Sequence, residues 1–237
     1  MSYRLDKDEH KPGNDLVEKG HGIQTSLLNY YGLPVWGAPT APLDELISTI
    51  LSQNTNDRNR DRAFLALRAK YPSWEEVRDA PEKDVIDAIR PAGLAPKKGP
   101  RIQSILQQIT VERGMLNLDF LREIPPDEAR AWLLKFNGVG PKTAAIVLQF
   151  SLDTPAFPVD THIYRVTGRL GLRPAKMGRE EAHGWLSAVF DPQDYGPVHL
   201  NLIRLGREIC HPRNPSCTIC PVNQSCDYFF EFGDFNA

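Results

Sequence analysis

Cysteine is scarce in this chain of 237 residues: there are four, at positions 210, 217, 220 and 226. A disulfide framework spreads its cysteines through a secreted chain, so a cluster confined to one short segment suggests a metal instead. Long apolar runs are missing as well. No stretch approaches the roughly 18 uninterrupted apolar residues that a membrane helix needs. The charged opening from Met1 to Gly20 lacks the apolar core of a secretory signal. The expectation is an intracellular protein with no membrane partner, in the cytoplasm or nucleoid if the source is bacterial. Excess charge is absent too. The 28 Lys and Arg against 30 Asp and Glu leave a formal net charge of −2. An isoelectric point near 6.3 excludes the globally basic surface that nucleic-acid-binding domains usually carry.

Local charge matters more than the total for binding a polyanion. From Ala88 to Val111 the chain holds Arg90, Lys97, Lys98 and Arg101 and no acidic residue, grouped around a Gly-Leu-Ala-Pro turn. That group is a candidate phosphate contact. A second group, Arg58, Arg60, Arg62, Arg68 and Lys70, is diluted by Asp57 and Asp61 and reads as a solvated helix face.

Alternating, strand-like periodicity is also lacking, and the pattern is helix after helix with Gly and Pro between. Leu43, Leu46, Ile47, Ile50 and Leu51 share one helical face, and Ile102, Ile105, Leu106 and Ile109 form a second stripe at i, i+3, i+4, i+7. The expected fold class is all-α. Residues 1–19 are expected to be a flexible tail. Ile23, Leu27, Leu28 and Tyr31 mark a helix after it.

Ala129, Trp132, Leu133 and Phe136 keep helical spacing behind the start signal Pro125-Pro126-Asp127. Asn137-Gly138-Val139-Gly140-Pro141-Lys142 follows, and a second helix runs from Pro141 to Phe150. Two helices joined by so short a turn make a helix–hairpin–helix over 126–150, or an ordinary helical corner. The glycines permit unusual backbone angles and close approach, and Pro141 suits a first helical turn. The N–H groups at that helix start form an anion site, for which a DNA phosphate is a candidate. Eighteen residues after Lys142 stands Asp160, in Val159-Asp160-Thr161-His162. Its bland role is a helix N-cap. Its chemical role would be an ionised carboxylate that stabilises a cationic sugar. Lys142 is either a surface lysine or, shielded at a helix start, a neutral nucleophile.

This hairpin, followed by a Pro-containing loop and Val-Asp-Thr-His, resembles the helix–hairpin–helix DNA glycosylases. The cysteine spacing, with six, two and five residues between successive members, resembles the iron–sulfur loop of the endonuclease III branch. The resemblance runs from about Leu43 to Cys226. It implies two α-helical domains with the active-site cleft between them: a helical domain over 36–154, and a discontinuous domain of 20–35 plus 155–237 with the cluster loop at 210–226. It implies base-excision repair of oxidised pyrimidines in double-stranded DNA containing damaged bases or abasic sites, by a monomer. Lys142 would be the nucleophile and Asp160 its paired carboxylate. Cys210, Cys217, Cys220 and Cys226 would hold a structural 4Fe–4S cluster, against the alternative of a four-thiolate zinc site.

The damaged nucleotide must leave the stack to be reached. Two segments resemble the loops that fill the gap: Ser52-Gln53-Asn54-Thr55 and Gly93-Leu94-Ala95. Leu94 is the wedge candidate, and either Gln53 or Asn54 fills the hole. Lys97, Lys98 and the hairpin residues Gly138, Val139 and Gly140 are expected on DNA. So is Arg213, in a cluster loop less basic than is usual for the family. His162 and His199 are expected to be structural, and Trp132 and Trp185 core. A monofunctional mismatch glycosylase would share the cluster and Asp160 but lack a lysine at position 142. An oxidised-guanine glycosylase would have the lysine but not the cysteines. A non-catalytic DNA-binding module would need the hairpin alone.

Overall fold

The computed structural model describes residues 11–232, with no strand among the described residues. In chain order the helices begin with α1 (Asn14–Tyr31), α2 (Pro42–Ser52), α3 (Asp57–Lys70) and α4 (Trp74–Asp79). Next come α5 (Glu82–Ala88), α6 (Ala95–Arg113), α7 (Pro126–Leu134) and α8 (Pro141–Ser151). Then follow α9 (Thr161–Arg169), α10 (Arg179–Ser187), α11 (Tyr195–Glu208) and α12 (Asp227–Phe232). Among the described residues no helix is long and apolar enough to cross a membrane.

The chain divides into two compact units. One is contiguous, Ala38–Thr154; the other joins the residues up to Gly37 to those from Pro155 onward. In the contiguous unit the apolar face of α2 is fully buried and packs on α8 and α3, while the stripe of α6 is buried against α4 and α5. Helix starts here are set by local chemistry. Asn56 and Ser73 accept hydrogen bonds from the N–H groups of Asn59 (2.9 Å) and Glu76 (3.2 Å). Proline opens α2, α7 and α8, where its missing donor costs nothing. Helix α6 begins at Ala95, before the apolar stripe does, with Pro96 in its first turn. Pro100 lies inside the helix, in its second turn, where it forgoes the bond to the Pro96 carbonyl.

In the discontinuous unit α11 packs on α9 and on α1. Ile23 and Leu27 of α1 are buried with Phe157, Val159, Ile163, Val166, Leu202 and Leu205. Part of the expected N-terminal tail is corrected. Residues 1–10 lie outside the described residues, but Asn14 to Lys19 are the first turns of α1. Leu16 packs against the core and Lys19 pairs with Asp227. Gly20 sits so close to the chain after α10 that an added Cβ would lie 2.5 Å from Val189. Asp227 and Val189 lie more than 150 positions from Lys19 and Gly20, which local sequence does not announce.

Candidate active site and metal centre

The turn between α7 and α8 is tight because of one glycine. Gly138 has φ of +83°, which favours glycine, and a Cβ there would lie 2.3 Å from Nε of Arg101. Gly140 has φ of −96° and open space where a Cβ would go, so its backbone does not demand glycine. Val139 is corrected as a DNA contact. Its side chain is buried and its N–H donates to the Phe136 carbonyl at 3.0 Å. Lys142, half-buried, is the second residue of α8, directly after Pro141. The first backbone bond of that helix runs from Ala144 N–H to the Gly140 carbonyl, 3.0 Å. Trp132 is core, as expected: its indole N–H donates to Glu112 at 2.9 Å, and Phe120 and Phe136 pack edge-on against it.

Among the described residues, Lys97 is the one cation of the basic stretch that is exposed with no acidic or carbonyl partner. Arg90 donates to Asp87 at 2.8 Å, one residue outside the acid-free window. Lys98 is corrected as a phosphate contact: it is 2% exposed, and its Nζ donates to the carbonyls of Leu51 (2.7 Å) and Ala92 (2.9 Å). Burial, reinforced by the Arg101 charge, pulls its ammonium pKa down to about 8. Arg101 in turn donates to Gln53 Oε1 at 3.0 Å, and Gln53 Nε2 donates to the Gly138 carbonyl at 3.0 Å. Gln53 is thereby turned inward. Asn54, the next residue, is exposed with φ of 55°. Leu94 is also exposed, at φ of 52°. Leucine in the left-handed region is uncommon and marks a backbone held by its surroundings.

In the discontinuous unit, Asp160 caps α9: Oδ1 accepts from the Ile163 N–H at 2.8 Å. The loop leading to it is pinned by two buried histidines. His183 Nδ1 lies 3.0 Å from the Phe157 carbonyl and His199 Nδ1 lies 3.0 Å from the Pro158 carbonyl. A carbonyl only accepts, so both rings carry the proton on Nδ1. His162 contacts Arg165, and Trp185 donates to the Leu172 carbonyl at 2.9 Å. His199 is thus held in a buried hydrogen bond, and Trp185 packs partly buried against the core. The anchoring by His183 was not anticipated, and an apolar run, Phe157 to Val159, was the available signal for a buried loop.

The four cysteines line one cavity, together with Val166, Leu170, Leu205, Ile209 and Val222. Two arginines of α9 organise its rim. Arg165 donates to the Cys210 and Gly206 carbonyls, and Arg169 donates to the His211 and Pro212 carbonyls with Nη1 3.3 Å from Cys210 Sγ. Arg213 is exposed on that loop. Burial pushes the Cys220 thiol up to about 11 and raises those of Cys217 and Cys226. Thiolates in such a pocket need a cationic centre among them to stay ionised. The four thiols line one cavity and so form a donor set that fits a metal group held by thiolates.

Comparison with known proteins agrees with this geometry. The family described as the HhH-GPD superfamily base excision DNA repair protein matches residues 47–189. The iron-sulfur binding domain of endonuclease III matches residues 210–226, which begin and end on the outer two cysteines. A candidate DNA glycosylase of Arabidopsis thaliana is 43% identical over 141 residues, covering 60% of this chain and 48% of that protein. The chain therefore spans about half the length of that relative. Endonuclease III of Thermotoga maritima is 35% identical over 190 residues, covering 80% of this chain and 84% of that one. A solved structure of a trapped endonuclease III–DNA covalent intermediate superposes with a TM-score of 0.77 at 25% identity, over 92% of this chain and 98% of that one. The chain belongs to the endonuclease III family of helix–hairpin–helix DNA glycosylases, base excision repair proteins that carry a 4Fe–4S cluster.

Proposed function

We propose that this chain is a bifunctional DNA glycosylase and abasic-site lyase that removes oxidised pyrimidines from duplex DNA, working inside the cell as a monomer. The observation that carries the lyase half is Lys142 on the first turn of the second hairpin helix, half-buried beside the backbone N–H groups of the helix start. In this reading the Lys142 amine attacks the sugar C1′, the C1′–N bond breaks, and the base departs with the bonding electrons and a proton. Ring opening leaves an imine between C1′ and Nζ. Loss of a C2′ proton then expels the 3′ phosphate, which cuts the strand. Asp160 is the carboxylate that offsets the positive charge growing on the sugar, and the proton shed by the attacking amine is taken up by a base. Phosphates lie against the hairpin at Gly138 and Gly140 and against Lys97 and Arg213, while Asn54 and Leu94 enter the gap left by the flipped nucleotide. Cys210, Cys217, Cys220 and Cys226 would hold the cluster, which when bound would cross-link the 210–226 segment.

The test is borohydride trapping on DNA that contains an abasic site. The wild-type chain forms a covalent adduct at Lys142. Lys142→Gln forms none and still binds DNA, because the substitution leaves the hairpin backbone in place. Equal trapping by both proteins would assign the chemistry to another amine.

A further inference from the structure

Lys98 is the most deeply buried charged side chain of the contiguous unit, and the reaction above makes no use of it. Its two acceptors are informative. Leu51 lies in the last turn of α2, immediately before Ser52-Gln53-Asn54, and Ala92 lies immediately before Gly93-Leu94. One ammonium therefore bridges the two backbone carbonyls from which the two expected gap-filling loops depart. The acceptors suit a cation. Carbonyls at the end of a helix have no partner within it and carry the negative end of its dipole. A shorter or neutral side chain cannot supply charge to both from a buried position.

The loops launched this way end on the same unusual backbone. Asn54 and Leu94 are both exposed non-glycine residues with φ of 55° and 52°. For leucine such a conformation persists only where the surroundings hold it, whereas asparagine adopts it more readily. Gln53 adds a second tie, joined to Arg101 on one side and to the hairpin carbonyl of Gly138 on the other. It faces inward, which leaves Asn54 as the residue presented outward.

We propose that Lys98 is a positioning residue, which clamps the 52–55 and 93–95 loops at a fixed separation so that Asn54 and Leu94 enter a DNA gap together. The inference rests on the glycosylase reading above and deepens it: Asn54, rather than Gln53, meets the opposite strand, and Lys98 acts through Asn54 and Leu94 without touching DNA. Pre-organisation of this kind affects the step in which a nucleotide leaves the stack. It does not affect chemistry on a sugar that is already unpaired.

The experiment compares wild type with Lys98→Met, which keeps the stem and removes the ammonium, on two substrates. On a duplex containing thymine glycol, single-turnover base release falls by about 10-fold or more, of the order expected when a positioning contact is lost. On single-stranded DNA with an abasic site, borohydride trapping stays within about two-fold, since no gap must be held open. Fluorescence of 2-aminopurine opposite the lesion, which rises when the wild type opens the duplex, rises less with the variant. Leu94→Ala, costly in the wild-type background, costs little more in Lys98→Met, because both act on one event. Should Lys98→Met fail to fold, Lys98→Gln retains hydrogen-bond donors without the charge and is expected to shift the two substrates apart in the same direction. Equal base release by variant and wild type, or parallel loss on both substrates, overturns the inference. So does additivity with Leu94→Ala. A wild-type chain that neither releases base nor traps overturns the underlying reading and this inference with it, and that result is distinct from an active wild type with an unaffected variant.

Discussion

The two units secure their functional residues by different means. In the contiguous unit, side chains of α6 reach backbone carbonyls at the ends of other elements: Lys98 to Leu51 and Ala92, and Arg101 through Gln53 to Gly138. The loops are anchored from a helical core that already buries α2 on both sides. In the discontinuous unit, arginines and histidines do the equivalent work on carbonyls of long connections, but the last segment has little helix. Between Cys210 and Cys226 there are only short turns, and the apolar side chain of Val222 is the main one buried there. A segment with so little core of its own relies on its metal group for order. Precision in the first unit is a matter of packing and hydrogen bonds; in the second it also depends on a cofactor.

That difference can be broken open by substitution. Asp160→Asn has the largest expected effect after removal of Lys142 itself. Asparagine retains an oxygen to cap α9 but carries no charge, so base release in single turnover falls by at least about 100-fold while the melting temperature stays near that of wild type. A fully active Asp160→Asn would reduce Asp160 to a cap. Cys217→Ala should remove iron and lower the melting temperature by on the order of 10 °C. Amide exchange should rise in α9 and around 205–226 and stay slow in α2, α6 and α8. A uniform rise in both units would show that the contiguous unit has no independent hold on its residues.

Lys98 supplies a pH test confined to the contiguous unit. Its ammonium titrates at about 8 in the fold and near 10.5 when unfolded. Between those values the unfolded chain binds a proton that the folded chain does not, so the stability of the fold rises with pH across that window. Below about 8 both states are protonated and this group adds no slope. The difference between wild type and Lys98→Met should therefore shift in favour of wild type from pH 8 to 10.5, by up to roughly 3 kcal/mol. A flat difference would mean that Lys98 is better solvated than its burial indicates. Smaller still is Gly138→Ala, expected to cost about 1–3 kcal/mol through its positive φ and the displaced Arg101. Gly140→Ala should change stability by no more than about 0.5 kcal/mol, and urea unfolding of the pair checks the contrast.

Legibility in the sequence followed the range of the interaction. The apolar stripes of α2 and α6, the proline-opened hairpin helix and the cap at Asp160 are encoded within a few neighbouring residues, and each stands where the spacing places it. Lys98 was misjudged because four cations without an acid resemble a phosphate-binding patch. Leu51, 47 positions away, turns one of them inward. Val139 was misjudged for a related reason: a residue inside a Gly-X-Gly turn looks exposed until Phe136 claims its N–H. Arg165 and Arg169 gave no signal, since their partners lie more than 40 positions along the chain.

From the sequence alone follow the helical class, the helix–hairpin–helix and the grouping of four cysteines in one short segment, which rest on periodicity, caps and spacing and are local. The roles proposed for Lys142 and Asp160 come from the resemblance to the family. Only the tertiary structure decided which basic residues remain exposed, that Gln53 faces inward while Asn54 faces out, and that one buried ammonium ties together the starts of two loops. Burial and hydrogen-bond pairing depend on which distant carbonyls converge, and a linear pattern does not carry that information.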